Sequence, residues 1–215
     1  MKKKILISAI VALSLALLVA VGGTIAWLID SDGNVVNTFT PSNVDVEVLE
    51  HDYVPATNTL DTSKIVADNS TDNNDYKMIP GTVMPKDPTV IVNCDIPCYV
   101  YVRVTENIGI TGFTFDDYLS YAPLVTDSEW KVLSVSGNDT ANASYVLYRE
   151  VAAGNDQQFR VLTNNQITVN GTVTKQHMDA LGTATENYPS LTFEAFVIQK
   201  DNTGTAEEAW AKINP

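Results

Sequence analysis

Val90-Ile91-Val92-Asn93-Cys94-Asp95-Ile96-Pro97-Cys98-Tyr99-Val100-Tyr101-Val102-Arg103-Val104 is the stretch on which the fold class turns. Two runs rich in valine and tyrosine flank a short connection built on Asn93, Asp95 and Pro97. β-branched and aromatic residues in runs of this length, bounded by turn formers, read as strands. The pair is therefore a hairpin or a crossing from one sheet to another. Upstream, Val44-Asp45-Val46-Glu47-Val48-Leu49 alternates apolar with acidic side chains, which buries one face and wets the other. Pro80-Gly81 marks a turn. Pro85 and Pro88 confine any strand around them to an edge or to its first residue. Residues 52–75 are rich in Asn, Asp, Thr and Ser, and read as a long surface loop with a short strand near Lys64-Ile65-Val66.

Beyond Glu106 the pattern is looser. Residues 113–121 suit one short helix with Asp116 and Asp117 near its start. Trp130-Lys131-Val132-Leu133 and Tyr145-Val146-Leu147-Tyr148 form a hairpin pair, and Phe159-Arg160-Val161-Leu162 and Ile167-Thr168-Val169 add two strands. Residues 174–181 read as helical, residues 191–199 as the clearest late strand and residues 205–213 as a short closing helix. Many short strands at turn-punctuated spacing predict an all-β fold, an antiparallel β-sandwich of jelly-roll type with a few short helices. No internal repeat is visible.

The N-terminus has a different grammar. Lys2, Lys3 and Lys4 precede an apolar run from Ile5 to Val21, followed by Gly22-Gly23-Thr24-Ile25-Ala26-Trp27. A basic start, an apolar stretch and small residues before a cut define an export signal. Residues 1–26 are thus expected to be a signal peptide, cleaved between Ala26 and Trp27. The competing reading is an uncleaved anchor, because counting on through Ile29 the run reaches the roughly 20 residues of a spanning helix. Gly22-Gly23 and the candidate cut at Ala26 argue for removal. The product is expected outside the cell, touching the membrane only before cleavage.

Composition excludes one class of partner. The 215 residues carry 26 acidic and 13 basic side chains. Removing Lys2 to Lys4 leaves 10 basic residues, so the mature chain stands near −16. Nucleic acid is not an expected ligand, since binding it needs clustered Lys and Arg. About 190 residues remain after cleavage, enough for one sizeable core.

Several of these segments resemble the TasA/camelysin family of exported proteins from Gram-positive bacteria. The resemblance rests on Gly22-Gly23-Thr24-Ile25-Ala26-Trp27, on Asn37-Thr38-Phe39-Thr40 and on Val44-Asp45-Val46. Weaker matches are Met78-Ile79-Pro80-Gly81 with Asn93 and Tyr99 to Val104, and the late strand at residues 191–199 with Ala209-Trp210. The chain departs from the family by its cysteine pair, and residues 107–181 show little likeness. The resemblance implies removal of the signal by an ER-type signal peptidase. It also implies a structural subunit of an extracellular fibre or biofilm matrix, with itself as principal partner and accessory matrix proteins as further ones. In such fibres the N-terminal strand of one subunit completes the sheet of the next, which points to residues 27–40 as an assembly segment ahead of a sandwich domain at 41–215. In an extended chain Trp27 and Ile29 share a face, as do Val35 and Phe39, so they are the candidate groove-filling side chains. The alternative is that this segment folds back on its own domain as an ordinary first strand.

Catalytic chemistry is barely signalled. The camelysin name carries a claimed metallopeptidase activity, which needs about three protein ligands and a general base at a metal. The only histidines are His51 and His177, and neither lies in His-Glu-x-x-His. No catalytic or metal-ligating residue is assigned and no cofactor is expected. The alternatives to a fibre subunit are a secreted metallopeptidase of camelysin type and a monomeric surface adhesion module. Asp30-Ser31-Asp32-Gly33-Asn34 has the oxygen-rich make-up of a calcium loop, but without the later bidentate Glu, and the same residues build ordinary turns. Cys94 and Cys98 are the only cysteines. In an oxidising compartment such a pair is expected to form a disulfide that fixes the turn between two strands.

Overall fold

The computed structural model describes residues 42–67, 74–133 and 144–213. The chain divides after Pro41, and the compact unit described below begins at Ser42. Its described residues form eleven strands, all paired antiparallel, and a few short helices.

Val44–Val54 (β1), Thr59–Ala67 (β2), Thr89–Cys94 (β4) and Gly154–Arg160 (β9) form a first sheet in the order β2-β1-β4-β9. Val83–Pro85 (β3), Leu119–Ser120 (β6) and Gln166–Val169 (β10) form a small second sheet, β3-β10-β6. Cys98–Asn107 (β5), Lys131–Val132 (β7), Ser144–Val151 (β8) and Ser190–Gln199 (β11) form the third, β11-β5-β8-β7. The helices are Phe115–Tyr118 (α1), Lys175–Leu181 (α2) and Ala206–Ile213 (α3).

Strand alternation explains the layers. Val90, Val92 and Cys94 of β4 meet Cys98, Val100, Val102 and Val104 of β5 in one buried core, so the first and third sheets lie face to face as a sandwich. The opposite face of β5 presents Tyr99 and Tyr101, which α3 covers with Ala206, Ala209 and Trp210. Tyr101 anchors that helix by donating its hydroxyl to the Ala206 carbonyl at 2.7 Å. A further core joins Tyr53, Met84, Phe115, Tyr118, Ile167 and Leu181, and uses the second sheet, α1 and α2.

The connection at residues 95–97 is the crossing and not the hairpin: β4 ends in the first sheet and β5 begins in the third. The hairpin expected between residues 130–133 and 145–148 forms as β7 with β8. The loop expected at 52–75 is corrected for residues 52–67, where the short strand expected near Lys64-Ile65-Val66 is part of a longer hairpin. β1 runs on to Val54, turns through residues 55–58 with Asn58 at φ 54°, and returns as β2. The polar composition reflects an edge strand with one wet face. A register shift between His51 and Asp52 breaks the alternation that would have marked the strand.

Candidate functional site

A β-sandwich must deal with the free edges of its sheets, because an edge strand displays unpaired N–H and C=O groups that can capture another chain. The two lateral sides of this sandwich are treated differently.

On the β9 side the edge is covered at one end, while residues 154–159 have no described strand on the side away from β4. Leu124 N–H donates to the Val161 carbonyl at 2.8 Å and Thr163 N–H to the Ala122 carbonyl at 2.8 Å, so residues 122–124 pair with residues 161–163, just past the end of β9. Trp130 closes the gap between the sheets. It is fully buried, and its indole N–H donates to the Arg160 carbonyl at 2.8 Å. The Arg149 guanidinium lies 3.7 Å from the Phe159 ring centroid and 5.4 Å from that of Trp130, and pairs with Glu129 at 3.1 Å. Burial lowers the pKa of Arg149, and the Glu129 carboxylate opposes that shift. β9 itself is polar, Gly154-Asn155-Asp156-Gln157-Gln158, with Asp156 at φ 53°. Polar side chains and a local kink are common protections of an exposed edge.

On the β1 side the edge is open. β4 pairs with residues 44–49 of β1, whereas β2 pairs only with residues 49–54. Among the described residues, nothing pairs with residues 44–48 on the side away from β4. β11 runs beside β1 along this edge and is bonded along its length to β5, with no described strand on its other side. The core-facing side chains there are Val44, Val46 and Val48 from β1 and Leu191, Phe193, Ala195 and Val197 from β11. All seven are only half-buried, while Val90 and Val92 of β4 and Val100, Val102 and Val104 of β5 are sealed off completely. Their outward neighbours Asp45, Glu47, Thr192 and Glu194 are exposed and keep the rim wet. Two free backbone rows with a strip of half-covered apolar side chains between them can accept an extended peptide.

The residues singled out as assembly and cleavage positions, Ala26, Trp27, Ile29, Val35 and Phe39, lie outside the described residues, as does the Asp30 to Asn34 segment. Cys94 and Cys98 are described, and both are buried free thiols. The disulfide expected between them is therefore not formed in this structure. Cys98 Sγ–H donates to the Ile96 carbonyl at 3.1 Å and Cys94 Sγ–H to the Ala152 carbonyl at 3.5 Å. Burial, with the neighbouring Cys94, pushes the Cys98 thiol up to about 12.

Among the described residues, the structure does not bring the two histidines together with further ligands. His51 bonds Asp87 through its ring Nδ1 at 2.6 Å and its backbone N–H at 3.1 Å. His177 caps α2, its Nδ1 accepting from the Thr174 N–H at 3.1 Å, and packs against Phe113 and Tyr118. Among the described residues no group of three His, Cys, Asp or Glu side chains is placed to hold a metal ion.

Two polar clusters went unread in the sequence. Tyr145 donates to Tyr121 at 3.0 Å, and Tyr121 donates to the Glu106 carboxylate at 2.6 Å. Burial raises the Glu106 pKa and nearby Asp116 adds to it, against the lowering effect of the Tyr121 bond. The second cluster is Glu50, Lys86 and Asn74. Its one available signal was parity, since Glu50 continues the inward row Val44, Val46, Val48.

The described unit thus belongs to the class of antiparallel, sandwich-like all-β proteins. Comparison with family models, with characterised proteins and with solved structures returned no match.

Proposed function

We propose that this chain is a secreted structural subunit of an extracellular fibre or biofilm matrix, polymerising by strand donation. The carrying observation is the contrast between the two lateral edges. One is covered at one end by Trp130 and residues 122–124 and is otherwise polar, while the other leaves residues 44–48 of β1 and the outer row of β11 without a described partner beside a strip of half-covered apolar side chains. The donor is residues 27–40 of a second copy, which immediately precede the domain. Fourteen extended residues reach about 46 Å, more than the ten residues of β11 need. Trp27 and Ile29, then Val35 and Phe39, supply apolar side chains to the half-covered strip. Cleavage after Ala26 by an ER-type signal peptidase frees the donor, so export is the switch. The sandwich is taken to be of jelly-roll type, and accessory matrix proteins are further partners. The chain is not assigned peptidase activity or a cofactor.

The experiment compares the chain from Trp27 with the chain from Pro41 by negative-stain microscopy and light scattering. The longer chain forms fibres, and the shorter one stays a folded, β-rich monomer. Fibres of normal appearance from the shorter chain would overturn the proposal.

A further inference from the structure

Lys86 is only 7% exposed, and a buried ammonium requires a partner. Its Nζ lies 2.7 Å from Glu50 Oε1. The rest of its surroundings is aromatic: the ring centroids of Tyr76 and Phe193 are 5.3 and 5.4 Å from Nζ. The same carboxylate holds a third group, because Asn74 Nδ2 donates to Glu50 Oε2 at 3.3 Å. The Asn74 amide is oriented at its other end as well. Its Nδ2 donates to the His51 carbonyl at 3.0 Å, and its Oδ1 accepts from the Tyr53 N–H at 2.8 Å. Tyr76 stacks on Tyr53 at 4.4 Å and keeps the site dry, its own hydroxyl buried without a hydrogen-bond partner.

A buried ion pair is a poor source of stability, since apolar side chains of similar volume serve as well or better. This one also has the parts of an acyl-transfer site. An amine is paired with a carboxylate able to take its proton, the same carboxylate touches the leaving nitrogen of an amide, and a backbone N–H points at the amide oxygen.

We propose that Lys86 and Asn74 join in an intramolecular isopeptide bond, formed without an added enzyme once the domain has folded. Glu50 accepts a proton from the Lys86 ammonium. The neutral Nζ attacks Cγ of Asn74, and the Tyr53 N–H stabilises the negative charge that develops on Oδ1. Glu50 returns the proton to Nδ2, the Cγ–Nδ2 bond breaks, and Nδ2 leaves as ammonium with the proton lost from Nζ. Nothing is oxidised or reduced. The bond closes the segment between Asn74 and Lys86 into a covalent loop beside Phe193 of the open edge. This inference is independent of the fibre proposal, since it requires only the folded domain.

The test is mass spectrometry of the purified, folded wild-type chain, intact and after trypsin. The expected result is a loss of one ammonia, about 17 Da. Peptides 65–77 and 78–103 are recovered covalently joined, with no cleavage after Lys86. Glu50→Gln, checked for folding by circular dichroism, yields the two separate peptides at their unmodified masses. Recovery of peptides 65–77 and 78–86 unlinked from folded wild-type protein overturns the proposal, as does an ammonia loss confined to residues 65–77.

Discussion

Replacing Trp130 by alanine tests the account of the covered end of the β9 edge. The side chain is fully buried between the sheets, edge-on to Phe159 at 6.5 Å, with the Arg149 guanidinium close to both rings. Truncating a buried tryptophan costs about 3–5 kcal/mol in lost burial and residual cavity. The change also strips the Arg160 carbonyl of its indole donor, adding about 1 kcal/mol. A total near 5 kcal/mol is a large share of the ~5–15 kcal/mol typical of a domain. With a urea dependence of roughly 2 kcal/mol per molar, the midpoint falls by about 2.5 M. The assay is urea unfolding of the chain from Pro41, followed by circular dichroism and by fluorescence of Trp210. Trp130→Phe, which keeps a ring in the gap, recovers about half of the loss. A Trp130→Ala midpoint within 0.5 M of the wild type, on the order of 1 kcal/mol, would show that Trp130 does not close the edge.

Three further outcomes are expected. Glu106 has a folded pKa above its unfolded value, so its contribution is full below the unfolded pKa and declines as the pH rises through the folded one. Glu106→Gln, which keeps an acceptor for Tyr121, therefore stabilises the domain at pH 7 but not at pH 4, read as the change in urea midpoint; an equal effect at both pH values contradicts the burial argument. With its thiol pushed to about 12, Cys98 in reduced, folded protein reacts with iodoacetamide at pH 8 at least 100-fold more slowly than in denatured protein, and comparable rates refute its burial. Exported protein denatured without reductant labels neither Cys94 nor Cys98, because the adjacent sulfurs close into a disulfide in an oxidising compartment; quantitative labelling of both shows that they stay free.

The strands were legible where alternation or β-branched runs persisted, as at β1, β5 and β11, and the three helices were placed to within a few residues. Two features escaped for physical reasons. Only the part of β2 near Lys64-Ile65-Val66 could be read; its start and the hairpin with β1 were hidden because an edge strand needs few apolar residues and because the shift at His51/Asp52 interrupts the period of two. The turn at Pro97 serves a hairpin or a crossing equally well, and only the partners of each strand decide, β1 and β9 for β4, β8 and β11 for β5. At the site, the inward row Val44, Val46, Val48 could be read directly. The sealing role of Trp130 could not, since it depends on Phe159 and Arg160, some 30 residues away in sequence. Nor could the burial of Lys86 between Pro85 and Pro88, because Glu50 lies 36 residues before it.

The central claim is that the open edge of β1 and β11 accepts residues 27–40 of another copy. Amide hydrogen exchange tests it most directly, on the chain from Pro41 with and without a synthetic peptide of residues 27–40. Strand addition predicts slowed exchange in residues 44–48 and 190–199 when the peptide is present, with β9 unchanged. A peptide that leaves both segments exchanging as before, or that protects β9 instead, would contradict the account.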